Sequence, residues 1–113
     1  MTNMPIQPWQ EVSPDFAHYS RDILFGEIWE RPGLSKRDRS LMVVSALTVL
    51  YRTSQLRVHI GRALDNGVTR EELGEVFLQL AFYGGWPVAV NAMQQAKDVY
   101  DERDERDERD KKG

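Results

Sequence analysis

The sequence predicts an all-α fold, a bundle of about five helices joined by short connections, and three features predict it. Apolar residues recur at helical spacing of three and four through most of the chain. No segment sustains the alternation of a strand. Helix start and stop signals punctuate the chain at short intervals. The 113 residues make one ordinary domain, and a content of 41% hydrophobic and 29% charged residues suits a globular chain.

In chain order, Pro5 and Pro8 interrupt residues 1–12, which show no periodicity and read as an extended N-terminal arm. Ser13-Pro14 supplies an N-cap and a first-turn proline. The first helix is expected over about 14–30, with Phe16, Ile23 and Trp29 inward, and Arg31-Pro32-Gly33 ends it. Ser35 caps a second helix, about 36–52, whose stretch Leu41–Leu50 is apolar nearly all round and therefore belongs in a core or against another subunit. The third helix, about 54–66, carries the stripe Leu56, Ile60, Ala63 and Leu64 and stops at Asn66-Gly67. Thr69-Arg70-Glu71-Glu72 is a capping box that opens a fourth helix, about 70–83, burying Leu73, Val76, Phe77 and Leu80. Gly84-Gly85 ends it, and Trp86-Pro87 starts a fifth helix with Ala89, Ala92, Met93, Ala96, Val99 and Tyr100 at helical spacing. The organisation is thus an arm (1–12), a helical domain (13–100) and a charged low-complexity tail (101–113).

That tail begins DERDERDERD and holds seven acids and five bases, which leaves the rest of the chain nearly neutral. It has no apolar face and reads as a solvated extension of the last helix, supported by Glu102–Arg106 and Glu105–Arg109 pairs of about 0.2–0.5 kcal/mol each.

Several functions are excluded. With no cysteine, disulfides, thiolate zinc sites and cysteine nucleophiles are absent. His18 and His59 are too far apart for a local metal motif. A net charge of −3 without a basic stripe argues against nucleic acid as partner. No apolar run reaches the length of a membrane span and no signal pattern opens the chain, so the expected location is the cytoplasm, away from membranes.

From Leu34 to Tyr100 the chain carries Leu34-Ser35-Lys36-Arg37-Asp38-Arg39, an apolar helix, His59-Ile60-Gly61-Arg62-Ala63-Leu64-Asp65-Asn66-Gly67, the capping box with Leu73-Gly74-Glu75-Val76, and Tyr83-Gly84-Gly85-Trp86-Pro87. In combination this order resembles the carboxymuconolactone decarboxylase family, within the wider AhpD-like superfamily. The resemblance implies an AhpD-like helical bundle, oligomeric, with homotrimers or homohexamers favoured and the active site near a subunit boundary. The peroxidase-like branch carries a Cys-x-x-Cys-x-x-x-His motif. Here the histidine position is His59, while the cysteine positions hold Arg52 and Gln55 and the assisting acid falls at Ser40. Cysteine-dependent peroxidase chemistry is therefore not expected.

What remains resembles the decarboxylase branch, whose name reaction removes CO2 from a γ-carboxylated unsaturated lactone. The electrons left behind flow through the double bond into the lactone carbonyl, so no cofactor is required. The protein must hold an anion, stabilise an oxyanion and protonate carbon. His59 borders the apolar stripe and is the candidate proton donor. Arg52 is the candidate anion anchor, since a guanidinium grips a carboxylate in bidentate fashion. Gln55, Arg39, Tyr83, Trp86 and Asn91 are candidate substrate-binding residues, although for Arg39 an intersubunit salt bridge is the favoured role. Glu71, Glu72 and Glu75 read as helix-start and surface acids, and His18 as structural or exposed. The expected partners are a small carboxylated lactone or oxo acid and further copies of the chain, because Leu78 and Phe82 lie on the fourth helix opposite its buried face. A family member without catalysis, serving as a binding or scaffold subunit, and a lactone hydrolase or isomerase on the same scaffold are the alternatives.

Overall fold

The computed structural model describes residues 8–112, and among these every regular element is helical. The chain divides into two compact units, 1–36 and 37–113.

In the first unit, α1 (Pro8–Val12) is a single short turn. The expected extended arm is therefore helical at Pro8–Val12, and its residues 1–7 lie outside the described residues. Helix α2 (Pro14–His18) starts as the sequence predicts, with Pro14 in the first turn and the Ser13 hydroxyl accepting the Phe16 N–H at 3.3 Å. It runs without a break into a π-helical segment, Tyr19–Ile28. There the backbone bonds reach back five residues, as from the Trp29 N–H to the Leu24 carbonyl at 2.9 Å. The wider turn displaces the inward positions counted at 3.6 residues per turn. Trp29 is buried and stacks on Phe25, but Ile23 of this segment lies at the surface; Phe16, which precedes the segment in α2, is also 54% exposed, its ring edge-on to Trp9.

The second unit holds nearly all of α3 (Lys36–Val49), with α4 (Thr53–Asp65), α5 (Arg70–Tyr83) and α6 (Trp86–Lys112). Its core joins Val44 of α3, Leu56, Ile60 and Ala63 of α4, Val68 of the α4–α5 connection, Leu73 and Phe77 of α5, and Ala92, Ala96 and Val99 of α6. Val76 is half-buried against it, Leu80 is also half-buried, and Met93 is exposed. The alanines of α6 let that helix approach closely, and large side chains from α4 and α5 fill the space.

The junctions α3–α4 and α4–α5 follow from capping chemistry. The Thr69 hydroxyl accepts the Glu72 N–H at 3.0 Å and the Glu72 carboxylate accepts the Thr69 N–H at 2.9 Å. Arg37 of α3 pairs with the same carboxylate, which ties α3 to the start of α5. At the end of α4, Val68 N–H reaches the Ala63 carbonyl and Gly67 N–H the Leu64 carbonyl, a Schellman turn with Gly67 at φ +99°. The end of α3 makes the same two bonds, Arg52 N–H to Leu47 carbonyl (2.9 Å) and Tyr51 N–H to Thr48 carbonyl (3.1 Å). There the left-handed residue is Tyr51, at φ +60°. A non-glycine residue in that region costs on the order of 1–3 kcal/mol, so the surrounding packing imposes this turn.

Helix α6 runs 27 residues, about 40 Å, and includes the DER run. The run is helical as expected, but its first turn is bound rather than simply solvated. Arg103 donates to the Gly61 carbonyl at 2.9 Å and to Asp65 at 3.0 Å, and Asp104 pairs with Arg70 at 2.7 Å. Gly61 makes room for this, because a Cβ there would lie 3.2 Å from the Arg103 guanidinium. One turn earlier Arg57 donates to Gln95 and Asp98. Helices α4 and α6 therefore run parallel in the register 57–95 and 65–103. Arg70 lies over the Tyr100 ring at 4.6 Å, so α5 and α6 run antiparallel.

Arg103, with 22% of its side chain exposed, is the tail residue that matters for stability. Arg103→Ala is expected to cost about 1–2 kcal/mol in urea unfolding. Truncation after Asp104 should cost under about 0.5 kcal/mol, since the later residues are exposed. Equal effects of the two changes would show that the clamp contributes nothing beyond the rest of the tail.

Candidate active site

Helix α4 presents three sides. Leu56, Ile60 and Ala63 enter the core. Arg57, Gly61 and Asp65 meet α6. Arg52, Gln55, His59, Arg62 and Asn66 follow one another at spacings of three and four and share the remaining flank. That flank faces α3, because Asn66 Nδ2 donates to the fully buried Ser40 Oγ at 2.9 Å. Ser40, the position to which the resemblance assigns the acid of the peroxidase-like branch, is here a buried hydrogen-bond acceptor for Asn66.

His59 is half-buried, and its Nδ1 is buried. Burial first, and then the positive charge of Arg62, hold the imidazole below its ordinary value of 6.5. The ring is neutral at pH 7. Arg62 is half-buried one turn further along, and burial lowers its guanidinium from the ordinary value. Arginine nonetheless keeps its charge in proteins. The sequence reading passed over Arg62, although its position three residues after His59 on the same flank was a readable signal.

The other sequence candidates are more dispersed. Arg52 is exposed at the N-cap position of α4, its backbone used in the Schellman turn and its carbonyl accepting the Leu56 N–H at 2.8 Å. Gln55 is exposed on the His59 flank. Arg39, half-buried with a buried Nε, sits on α3 next to Ser40. Asn91 lies on α6, and the α4–α6 register sets it beside the first turn of α4. Its Nδ2 is buried and makes no hydrogen bond among the described residues. Tyr83 and Trp86 flank the α5–α6 turn and are 83% and 62% exposed, so within one chain they cover nothing. That turn packs on the end of α3, where a Cβ at Gly84 would come within 2.8 Å of Val49 Cγ2.

Four of the hollows among the described residues of this unit bear on the site. The smallest, about 200 Å³, lies between α5 and α6 at Phe77 and Tyr100, and the largest, about 600 Å³, lies between α4 and the α6 extension at Arg57 and Arg106. The others lie at Ser45, Glu75 and Leu80 and at Leu78 and Phe82. None of these four is lined by His59 or Arg52. Among the described residues no three metal-ligating side chains converge. No helix among them is long and apolar enough to cross a membrane.

Residues 14–98 match the model of the carboxymuconolactone decarboxylase family. The chain belongs to this family. It is 34% identical over 100 residues to the 4-carboxymuconolactone decarboxylase of Acinetobacter baylyi, covering 88% of this chain and 75% of the relative. It is 35% identical over 104 residues to an uncharacterized 15.0 kDa protein of Paracoccus denitrificans, covering 90% and 78%. A nitrosuccinic acid decarboxylase of Metarhizium robertsii is 33% identical over 87 residues, covering 77% of this chain and 56% of that protein. The family match ends before the DER run, so the clamp by Arg103 lies outside it.

The neutral imidazole has a thermodynamic consequence. The unfolded chain takes up a proton near pH 6.5, whereas folded His59 takes it up only at lower pH. Stability therefore falls as pH drops through the ordinary histidine value and below it. Between about pH 8 and pH 5, wild type should lose more thermal stability than His59→Gln. Identical pH dependence in the two proteins would mean that His59 titrates as a free histidine.

Proposed function

We propose that this chain is a cofactor-independent carboxy-lyase acting on a small carboxylic acid whose carboxyl-bearing carbon is conjugated to an electron-withdrawing group, with a 4-carboxymuconolactone-like lactone of aromatic-compound breakdown as the first substrate to try. The observation that carries the reading is a half-buried, neutral His59 one turn from a half-buried arginine, on one flank of one helix. Two of the relatives are named decarboxylases, of 4-carboxymuconolactone and of nitrosuccinic acid. In both kinds of acid, CO2 departs and its bonding electrons enter a lactone carbonyl or a nitro group.

In this reading an arginine holds the carboxylate, and the apolar surroundings favour its conversion to neutral CO2. The C–C bond breaks and leaves a dienolate whose negative charge sits on the lactone oxygen. An N–H of His59 hydrogen-bonds that oxygen, or protonated His59 delivers a proton to carbon, so that one CO2 leaves and one proton enters. Gln55 and Asn91 supply amide groups near the same end of α4. Arg52, Arg39, Tyr83 and Trp86 belong to the substrate's surroundings in this proposal, the aromatic pair by closing over the site in an assembly.

Assembly is part of the proposal. Leu78 and Phe82 lie on the side of α5 away from the core, and Phe82 is 77% exposed. With Tyr83 and Trp86 they form an apolar surface that a second copy would cover, in a trimer or hexamer. Light scattering should give a multiple of the 13.1 kDa subunit mass, and Phe82→Asp should dissociate or precipitate the particle. A monomeric wild type would refute assembly, and an intact oligomer carrying Phe82→Asp would move the interface elsewhere.

The activity test follows loss of the unsaturated-lactone absorbance together with released CO2. His59→Ala is expected to lower turnover about 10²–10⁴-fold while retaining its helix content. Lactone loss without CO2 would identify a hydrolase or isomerase instead, and a folded His59→Ala protein at full rate would remove the histidine from the mechanism.

A further inference from the structure

We propose that Arg62 is a further substrate-binding residue, whose guanidinium takes the carboxylate of the bound acid and holds it against the His59 ring. The inference deepens the carboxy-lyase reading and rests on it. Along a helix, residues 59 and 62 are about 4.5 Å apart and side chains at this spacing are neighbours, whereas residues 52 and 59 are about 10.5 Å apart. A small acid gripped by Arg62 therefore touches His59, while one gripped by Arg52 must span two turns. Burial separates the two arginines as well. Arg52 is exposed and Arg62 half-buried, and a carboxylate pairs more strongly with a guanidinium shielded from water.

The pairing also supplies the proton. In the free protein Arg62 works against a charge on His59. An anion set between them neutralises that field and adds an attraction of its own, so binding draws a proton onto the imidazole. The empty site keeps His59 neutral and the occupied site makes it a proton donor. The other charges bordering this flank come from α3. Arg37 is engaged by Glu72, Asp38 is exposed, and half-buried Arg39 carries the same sign as Arg62.

Succinate is a suitable probe because it carries carboxylates and cannot react. With two histidines in the chain, His59→Gln assigns the imidazole signals by NMR. In wild type, succinate should raise the pH at which His59 titrates, and its binding should strengthen as pH falls from about 8 to 6. Arg62→Gln should weaken binding about 10-fold or more and abolish the His59 response, and Arg62→Lys should restore part of both. Where the lactone turns over, Arg62→Gln should raise KM more than it lowers kcat. The proposal is overturned if wild type does not bind succinate, if Arg62→Gln binds it as well with the same His59 response, or if Arg52→Gln alone removes it. Failure of turnover with an Arg62-dependent succinate response intact would overturn the carboxy-lyase reading and leave the anion site standing.

Discussion

Helix α4 must satisfy three neighbours with thirteen residues, and the rest of the helical unit is arranged around that requirement. One side packs Leu56, Ile60 and Ala63 with no exposed surface. The next gives α6 a guanidinium at Arg57, a bare carbonyl at Gly61 and a carboxylate at Asp65. The third carries His59 and Arg62 on the flank from which Asn66 donates to Ser40 of α3. A helix held on two sides cannot rotate, so the third side presents its polar groups at a fixed angle without loops or metals to position them.

This fixed placement decides the chemistry. Removing CO2 from an acid that holds its own electron sink needs little from a protein beyond a cation for the carboxylate, a hydrogen bond for the developing oxyanion and a proton for carbon. In the proposed reading the half-buried imidazole of His59 and the half-buried guanidinium of Arg62 supply these, and partial exclusion of water strengthens each interaction. The absence of cysteine fits the same picture. Arg52, Gln55 and Ser40 stand where thiols and an acid serve the peroxidase-like branch, and Ser40 Oγ is spent on Asn66.

What was legible in the sequence was legible through local chemistry. Gly67 at φ +99° announces the end of α4, and Thr69 with Glu72 announces the start of α5. The end of α3 makes the same Schellman turn but uses Tyr51, so its sequence carries no stop signal and the helix seemed to continue to residue 52. The segment Tyr19–Ile28 adopts π-helical bonding, which changes the residue count per turn and misdirects any prediction of its inward face. The DER run hid its role differently. Its composition marks it as solvated, yet Arg103 falls opposite Gly61, a pairing set by two helices 42 residues apart in sequence. His59 was readable from its border position on the apolar stripe. The spacing of Arg62, three residues after His59 on the same flank, is readable in the sequence too, and its burial and its effect on the imidazole give that spacing its meaning.

The central claim is that the acid binds on the α3-facing flank of α4. A crystal structure with a saturated, non-decarboxylating carboxylactone bound tests it most directly. The account predicts the ligand's carboxylate at Arg62 and its ring against His59. A ligand seated instead in the groove between α4 and the α6 extension, or in the hollow at Ser45 and Glu75, with His59 untouched, would contradict it.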